Sequence, residues 1–197
     1  NYEHCADMNI PLLPIYEICT AIKSCIRDGC NLVISAPTGS GKSTQVPKML
    51  LDELPPGKCI LVLQPRRLPA RVCAERVAWE LGQNVGQRIG YITRFERKVS
   101  RESQVIFITE GILTRMLLDS AGVSNVHCII FDEFHYLGDP DRGASWEESI
   151  IFSPPKTQVL GLSATIGNAE QLSQWLGSLN PQKKINLIQV PTEEHHV

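Results

Sequence analysis

One glycine-rich segment constrains the fold of this chain more than any other stretch of its sequence. The segment APTGSGKST, residues 36–44, follows the apolar run NLVIS and precedes a stretch with helical spacing. Gly39 and Gly41 allow backbone N–H groups to converge on an anion, and a helix N-terminus adds a favourable dipole. The pattern, with Ala36 where a first glycine is usual, predicts a strand, a phosphate-binding loop and a helix.

The residue types in this loop indicate which phosphate compound it binds. Lys42 can reach the β- and γ-phosphates of a nucleotide, and the Ser43 hydroxyl can ligate Mg²⁺. We therefore predict ATP and Mg²⁺ as ligands. The alternative, an ordinary glycine-rich turn, leaves the Lys-Ser pair in this register unexplained. The predicted contact residues are Thr38, Gly39, Ser40, Gly41, Lys42, Ser43 and Thr44.

Two carboxylates stand at the end of another apolar run, in the segment IIFDEFH at residues 129–135. A phosphate-binding loop needs a second metal-holding group, and Asp132 can hold Mg²⁺ together with Ser43. Glu133 can polarise the water that attacks the γ-phosphate. The alternative is an acidic pair that caps the following helix. We predict that Lys42, Asp132, Glu133 and His135 form the catalytic group.

Short apolar runs alternate with longer helical stretches along the chain. Continuous apolar runs are typical of strands buried on both faces, and strand–helix alternation predicts an α/β domain with a mostly parallel central sheet and helices on both faces. The predicted strands are 31–35, 59–64, 104–109, 127–132, 158–163 and 185–190. The predicted helices are 15–28, 42–54, 68–81, 111–120, 145–152 and 169–176.

The composition limits where partners can bind. The 197-residue chain has a net charge of −2, so any nucleic-acid binding must be local. Seven cysteines without a C-x-x-C pair indicate reduced thiols in the cytoplasm or another reducing intracellular compartment. No apolar run approaches the ~18 residues of a membrane span, so no membrane partner is expected. The chain begins without methionine, which suggests a piece of a longer protein.

Four further motifs follow the phosphate-binding loop and resemble those of superfamily 2 DExH-box helicases. DEFH is similar to their DExH box, QPRR at 64–67 to motif Ia, TEGIL at 109–113 to motif Ib, and SAT at 163–165 to motif III. The resemblance covers nearly the whole chain. It implies a RecA-like P-loop NTPase domain over residues 1–190, with residues 191–197 leading towards a second RecA-like domain of the same full-length protein.

The segments that carry this resemblance divide between two branches of the superfamily. STQVPKMLL and LQPRRLPARVCAERVAWELG resemble the DEAH/RHA-type helicases, HrpA/HrpB-type members included. DEFHYLGDPDRGASWEE and LSATIGNAEQLSQWLG resemble the Ski-, Mtr- and Hel-type helicases. Both branches act mainly on RNA, although Hel-type members unwind DNA. The resemblance therefore implies an ATP-dependent RNA helicase, with a DNA helicase as the alternative.

The resemblance also assigns roles to individual residues. Contacts with the backbone of single-stranded RNA, independent of sequence, fall to Arg66, Arg67, Arg94, Thr109 and Gly111. A solvated arginine pair at a helix start is the plainer interpretation of the first two. Arg76 occupies the place of an arginine that stacks on adenine, and a surface ion pair is its alternative.

Motif III links ATP hydrolysis to strand movement in the family. The resemblance implies that Ser163 and Thr165 hydrogen-bond towards His135, which would sense the γ-phosphate. A helix cap and turn is the plainer interpretation of SAT. The chain has no Q-x-x-G-R-x-G-R motif, which belongs to the second domain with its arginine finger. We therefore expect the isolated chain to bind ATP weakly, hydrolyse it poorly and unwind nothing.

Two interpretations outside the helicases remain open. A nucleotide-gated clamp or scaffold would use the same fold to hold RNA, but it would not need Lys42, Asp132 and Glu133 together. A small-molecule kinase with a phosphate-binding loop would give no reason for the SAT and QPRR segments. Comparing the stimulation of ATP hydrolysis by RNA and by DNA separates the RNA helicase from the DNA helicase, and a rate that neither changes favours the clamp or scaffold.

Overall fold

The computed structural model describes residues 14–119, 122–164 and 168–190. The strands are β1 Asn31–Ser35, β2 Cys59–Gln64, β3 Ile89–Ile92, β4 Arg97–Lys98, β5 Val105–Thr109, β6 Val126–Phe131, β7 Gln158–Ser163 and β8 Ile185–Gln189. They form one sheet in the order β4-β3-β5-β2-β6-β7-β1-β8. Neighbouring strands are parallel except for the antiparallel pair β3–β4.

The α-helices of the described residues follow the predicted alternation with the strands. They are α1 Cys19–Arg27, α2 Lys42–Leu50, α3 Arg67–Glu80, α4 Glu110–Leu118, α5 Gly143–Phe152 and α6 Ala169–Leu179. Short 3-10 helices cover Pro14–Ile18, Leu51–Glu53 and Phe134–Gly138. Within the parts of the chain just described, no helix is long and apolar enough to cross a membrane.

Two apolar cores lie on opposite faces of the sheet. Successive side chains of a strand point to opposite faces, so Leu32 and Ile34 join one core while Val33 joins the other. Helices α1, α2 and α3 supply the first core, and helices α4, α5 and α6 supply the second. The strands are apolar along their whole length because both of their faces are buried. The prediction of a mostly parallel sheet covered on both faces is confirmed.

The structure adds two strands that the sequence did not predict. β3 is only four residues long and contains Gly90, and β4 consists of two exposed residues. A Cβ atom at Gly90 would lie 2.4 Å from the carbonyl oxygen of Lys98, so this glycine permits the close approach of β4. Predicted helices 15–28 and 42–54 were too long, because 3-10 turns replace the first turn of one and the last turn of the other.

The strand order divides one edge of the sheet into two halves. β1 and β2 follow each other in sequence, but β6 and β7 lie between them in the sheet. Loops after β1, β6 and β7 therefore meet in one half of the carboxyl edge, and loops after β2, β3 and β5 meet in the other. Ligands of open α/β sheets bind outside the carboxyl ends of the strands. β6, which carries Asp132 at its end, borders both halves.

Candidate functional site

The phosphate-binding loop has the backbone geometry that its glycines allow. Gly39 and Gly41 adopt φ of +80° and +88°, and helix α2 begins at Lys42. The backbone N–H of Ala36 donates to the Ser163 carbonyl oxygen over 3.0 Å, which fixes the start of the loop to the end of β7. The Lys42 Nζ lies 3.5 Å from the carbonyl oxygen of Pro37, so the ammonium group folds over the loop.

One polar atom in the loop has no partner within the described residues. The Ser40 Oγ is buried, with the residue only 2% exposed, and it makes no hydrogen bond. A buried hydroxyl without a partner costs free energy that an anionic oxygen in the loop would recover. The orphan hydroxyl, the two left-handed glycines and the helix start together fit a bound phosphate group.

The oxygen donors near the loop suit a hydrated magnesium ion. Ser43 is half-buried at the first turn of α2, and Asp132 directly follows β6. In the described parts of the chain, no group of three or more histidine, cysteine or acidic side chains is placed to hold a metal. Mg²⁺ commonly uses one or two protein oxygens, with substrate phosphates and water as the other ligands. The donor set therefore fits Mg²⁺ held jointly with a nucleotide.

The Asp132 carboxylate is buried and held at both oxygens. It is 2% exposed; its Oδ2 accepts a hydrogen bond of 2.6 Å from Gln64 Nε2, and its Oδ1 accepts one of 2.9 Å from the Glu133 N–H. The Asp132 N–H donates to the Leu63 carbonyl oxygen. Burial and the Asp132 charge together raise the pKa of the nearby Cys73 thiol to about 12, so Cys73 stays protonated.

Glu133 departs from ordinary backbone geometry. Its φ of 57° and ψ of 46° lie in the left-handed region, and among the residues that the structure describes it is the only non-glycine residue with positive φ. Such conformations are costly and concentrate at functional sites. The bend turns the Glu133 side chain out of the sheet edge, where it is half exposed with its Oε2 3.5 Å from His135 Nδ1.

An aromatic cluster fixes the segment that carries Glu133 and His135. Phe134 and Trp146 are fully buried and pack with Phe131, with ring centroids 5.4–6.5 Å apart. Phe134 also lies directly over Gly161 of β7, where an added Cβ atom would come within 2.3 Å of the ring. The glycine in the middle of β7 therefore makes room for the ring that anchors this segment.

The motif III residues are only partly described. Ser163 ends β7 beside Ser35, so it lies next to the start of the phosphate-binding loop. Its Oγ donates to the Ala164 carbonyl oxygen over 3.2 Å, and its hydrogen bond towards His135 stays a prediction. The Ser163 carbonyl oxygen accepts from the loop backbone. Thr165 lies outside the described residues, and its coupling role stays a prediction.

A basic groove occupies the other half of the carboxyl edge. Its volume is about 1030 Å³, and it lies between the loops after β2, β3 and β5. All five residues predicted to contact a nucleic-acid backbone line it: Arg66, Arg67, Arg94, Thr109 and Gly111. The structure thus brings together residues that are up to 45 positions apart in the sequence, from 66 to 111. Their predicted contacts with RNA stay predictions.

The groove contains charged and aromatic residues that the sequence analysis missed. Arg71 and Arg115 line it, each four residues after a predicted contact residue on the same helix, a spacing that could have indicated them. Phe95 is 68% exposed and lies 4.5 Å from the Arg67 guanidinium and 5.5 Å from that of Arg94. These cation–π contacts join the loop after β3 to the start of α3.

The groove is positive although the whole chain is weakly negative. Five arginines face two glutamates, Glu96 and Glu110, which leaves a formal charge of +3. The Glu96 carboxylate is already engaged by Arg71 at 3.5 Å and by the Tyr91 hydroxyl at 2.6 Å. Burial, followed by the hydrogen bond to this carboxylate, raises the pKa of Tyr91. Local charge of this kind attracts a phosphate backbone without a basic overall composition.

Arg76 makes the ion pair that the sequence analysis considered as its alternative. Its Nε lies 3.3 Å from Glu80 Oε1, and its guanidinium lies 4.9 Å from the Trp79 ring. The Glu80 side chain is 2% exposed and also accepts two hydrogen bonds, of 3.2 Å and 3.0 Å, from Gln45 Nε2 on α2. Contact between Arg76 and a nucleotide base stays a prediction.

The fold and the site together define a class of protein. A three-layer α/β domain with a phosphate-binding loop after β1 and an acidic pair after β6 is typical of P-loop nucleoside-triphosphate-binding proteins. A family described as "DEAD/DEAH box helicase" matches residues 17–172. Because this match covers most of the chain, the chain belongs to the DEAD/DEAH box helicase family.

Individual relatives agree with this assignment. The chain is 38% identical over 176 residues to the DExH-box ATP-dependent RNA helicase DExH6 of Arabidopsis thaliana, with 84% of the chain and 13% of that protein covered. It is 35% identical over 173 residues to DExH2 of the same plant, with 84% and 11% covered. DExH1 is 32% identical over 177 residues, with 84% and 17% covered. The chain thus spans less than a fifth of these relatives.

Proposed function

We propose that this chain is the ATP-binding half of an ATP-dependent RNA helicase motor. The observation that carries the proposal is that one sheet edge holds a phosphate-binding loop, an acidic pair and a basic groove side by side. ATP hydrolysis and polynucleotide binding would then occur on adjacent loops of one rigid sheet. The named activity of the relatives supports RNA as the polynucleotide.

The proposed ATPase uses residues of the first half of the edge. Lys42 would contact the β- and γ-phosphates, and Ser43 and Asp132 would hold Mg²⁺, which supplies charge neutralisation when bound. Glu133 would orient and deprotonate the attacking water, a role supported by its exposed carboxylate and strained backbone. His135, 3.5 Å from Glu133, would keep that carboxylate in place.

The proposed RNA contacts use the basic groove. Guanidinium groups match phosphate geometry, and the groove offers five of them together with the half-buried Thr109 and the start of α4. Contacts to phosphate carry no sequence information, so binding would be independent of base sequence and sensitive to salt. Phe95 would support Arg67 and Arg94 through the contacts between their guanidinium groups and its ring.

The proposal includes a second RecA-like domain and an intracellular location. The relatives are several times longer than this chain, which leaves room for such a domain after residue 190. Residues 191–197, the proposed exit segment, lie outside the described residues. The thiols of the six described cysteines are free, which supports a reducing intracellular compartment such as the cytoplasm.

The first test is the ATPase rate of the longest natural protein that contains this chain. We expect single-stranded RNA to stimulate hydrolysis strongly and a Glu133→Gln variant to lose the stimulated rate. Stimulation by DNA in place of RNA would favour the DNA helicase. A rate unchanged by either polynucleotide would contradict the motor and favour a nucleotide-gated clamp.

A further inference from the structure

We propose that Gln64 is a positioning residue that links the basic groove to the metal-holding carboxylate of Asp132. The inference rests on the proposed function, since it requires a nucleotide with Mg²⁺ at Asp132 and a polynucleotide in the groove. Gln64 itself would contact neither ligand. It would act by fixing the Asp132 carboxylate and by moving with the backbone that follows it.

The hydrogen bond between these two residues is short and buried. Gln64 is 2% exposed, and its Nε2 donates to Asp132 Oδ2 over 2.6 Å. Hydrogen bonds to a carboxylate are stronger than those between neutral groups, and a low-dielectric environment strengthens them further. The other oxygen of Asp132, Oδ1, accepts the backbone N–H of Glu133, so among the residues that the structure describes Gln64 is the side chain that donates to this carboxylate.

The position of Gln64 in the chain supplies the connection to the groove. It is the last residue of β2, and Pro65, Arg66 and Arg67 of the groove follow it directly. On the neighbouring strand β5 it pairs with Thr109, which also lines the groove. A polynucleotide that draws the loop at residues 65–67 therefore pulls on the residue that orients Asp132.

Strand adjacency makes this link direct. β2 lies between β5, whose end borders the groove, and β6, whose end carries Asp132. The backbone of β2 also holds Asp132, because the Leu63 carbonyl oxygen accepts the Asp132 N–H, but the Gln64 side chain is the part of β2 that contacts the carboxylate. Partners that hydrogen-bond metal-binding carboxylates typically change metal affinity or activity about 10–100-fold when removed.

The test compares two buried glutamines in the longest natural protein that contains this chain. Gln64→Met keeps length and burial but removes the donor. Gln158→Met is the matched control. Gln158 is also buried, at 3% exposure, and donates to the Cys30 carbonyl oxygen over 2.8 Å, but it lies at the amino end of β7, away from both predicted sites. Binding of a fluorescent ATP analogue is titrated with Mg²⁺, and ATPase is measured with and without single-stranded RNA.

We expect Gln64→Met to need about tenfold more Mg²⁺ for half-maximal nucleotide affinity and to lose most of the stimulation by RNA. Gln158→Met should match the wild type in both measurements. If Gln64→Met does not fold, as judged by thermal melting, Gln64→Asn is measured instead, since its shorter amide cannot reach Asp132. Equal Mg²⁺ dependence and stimulation in the Gln64 and Gln158 variants would overturn the inference.

Two other outcomes are distinguishable from that result. A wild-type ATPase that RNA does not stimulate would overturn the proposed function itself, whatever the variants do. A Gln64→Met protein that needs more Mg²⁺ than the wild type but is fully stimulated by RNA would overturn the link to the groove.

Discussion

The left-handed backbone of Glu133 is a local cost that the surrounding residues must offset. A residue with a Cβ atom pays about 1–2 kcal/mol in this conformation. Hydrogen bonding of the Glu133 N–H to Asp132 and the packing of Phe134 beside it hold the bend. The left-handed bend leaves the Glu133 carboxylate half exposed, whereas the residues of β6 before it are mostly buried.

At this residue, the charge is expected to matter for hydrolysis and not for nucleotide binding. Glu133→Gln should lower the hydrolysis rate by about 10²–10⁴-fold, the usual contribution of a general base. Single-turnover hydrolysis and binding of a fluorescent nucleotide measure the two effects separately. Glu75→Gln, an exposed glutamate on α3, is the control and should behave as the wild type. A parallel loss of nucleotide affinity in Glu133→Gln would contradict the assigned role.

The strain itself predicts an unusual order of stabilities at this position. Glu133→Gly should be more stable than Glu133→Ala by about 1 kcal/mol, because glycine adopts positive φ without a steric penalty. Elsewhere in an ordered segment, alanine is normally the more stable of the two. Urea unfolding of both variants gives the difference in free energy of unfolding. Equal midpoints would mean that the left-handed conformation is not held in solution.

At the scale of elements, the contact between β7 and the 3-10 helix Phe134–Gly138 is closely fitted. Gly161→Ala would place its Cβ atom 2.3 Å from the Phe134 ring, which a rigid buried ring cannot accept without moving. We expect a loss of about 1–3 kcal/mol in the free energy of unfolding, as for other overpacked cores. We also expect a larger fall in ATPase than the unfolded fraction explains, since Glu133 and His135 flank the displaced ring.

Gly138→Ala is the matched control for this variant. Its added Cβ atom would lie 3.6 Å from the Trp175 ring, an ordinary contact, so stability should change little. Chemical denaturation and steady-state ATPase are measured on both variants. If Gly161→Ala changed stability and ATPase as little as Gly138→Ala, the Phe134 ring would be able to move aside, and the predicted close fit would be wrong.

Helices α2 and α3 are joined by a buried carboxylate. The Gln45 amide donates to the Thr44 hydroxyl and to Glu80, so Glu80→Ala would leave one of its N–H groups without an acceptor. It would also leave Lys48, 3.7 Å away, without its counter-charge. A buried donor left without an acceptor costs about 1–3 kcal/mol, so the melting temperature should fall clearly. Glu75 also has an arginine four residues before it but is exposed, so Glu75→Ala should leave the melting temperature nearly unchanged.

The elements show which parts of this architecture a sequence reveals. Long apolar runs identify buried parallel strands, whereas β3 has four residues with Gly90 among them and β4 has no apolar residue. The phosphate-binding loop is predictable because its residues are adjacent in sequence. The bond between Gln64 and Asp132 is not, because it depends on β2 lying next to β6, and nothing in either strand specifies its neighbour.

At the scale of the whole molecule, a net charge of −2 coexists with a positive groove. Arg115→Ala should weaken single-stranded RNA binding to a similar degree for all sequences. It should also reduce the slope of log affinity against log salt by about 0.7, the value for one lost phosphate contact on a single strand. Affinity measured over a salt series gives both quantities.

Arg27→Ala is the control for this prediction, since Arg27 is exposed, pairs with Glu53 and lies outside the groove. Its salt slope should equal that of the wild type. An unchanged slope in Arg115→Ala would remove Arg115 from the contact surface, and a change confined to one RNA sequence would point to contacts with bases.

The division of the carboxyl edge also bears on how such a domain can diversify. Loops after β2, β3 and β5 surround the basic groove, while the phosphate-binding loop and the acidic pair follow β1 and β6. If the proposed function holds, insertions or exchanges in the loops after β3 and β5 could alter polynucleotide preference over generations while the proposed ATPase residues are inherited unchanged. The loop after β2 would lack this freedom, because Gln64, the residue directly before it, is hydrogen-bonded to Asp132.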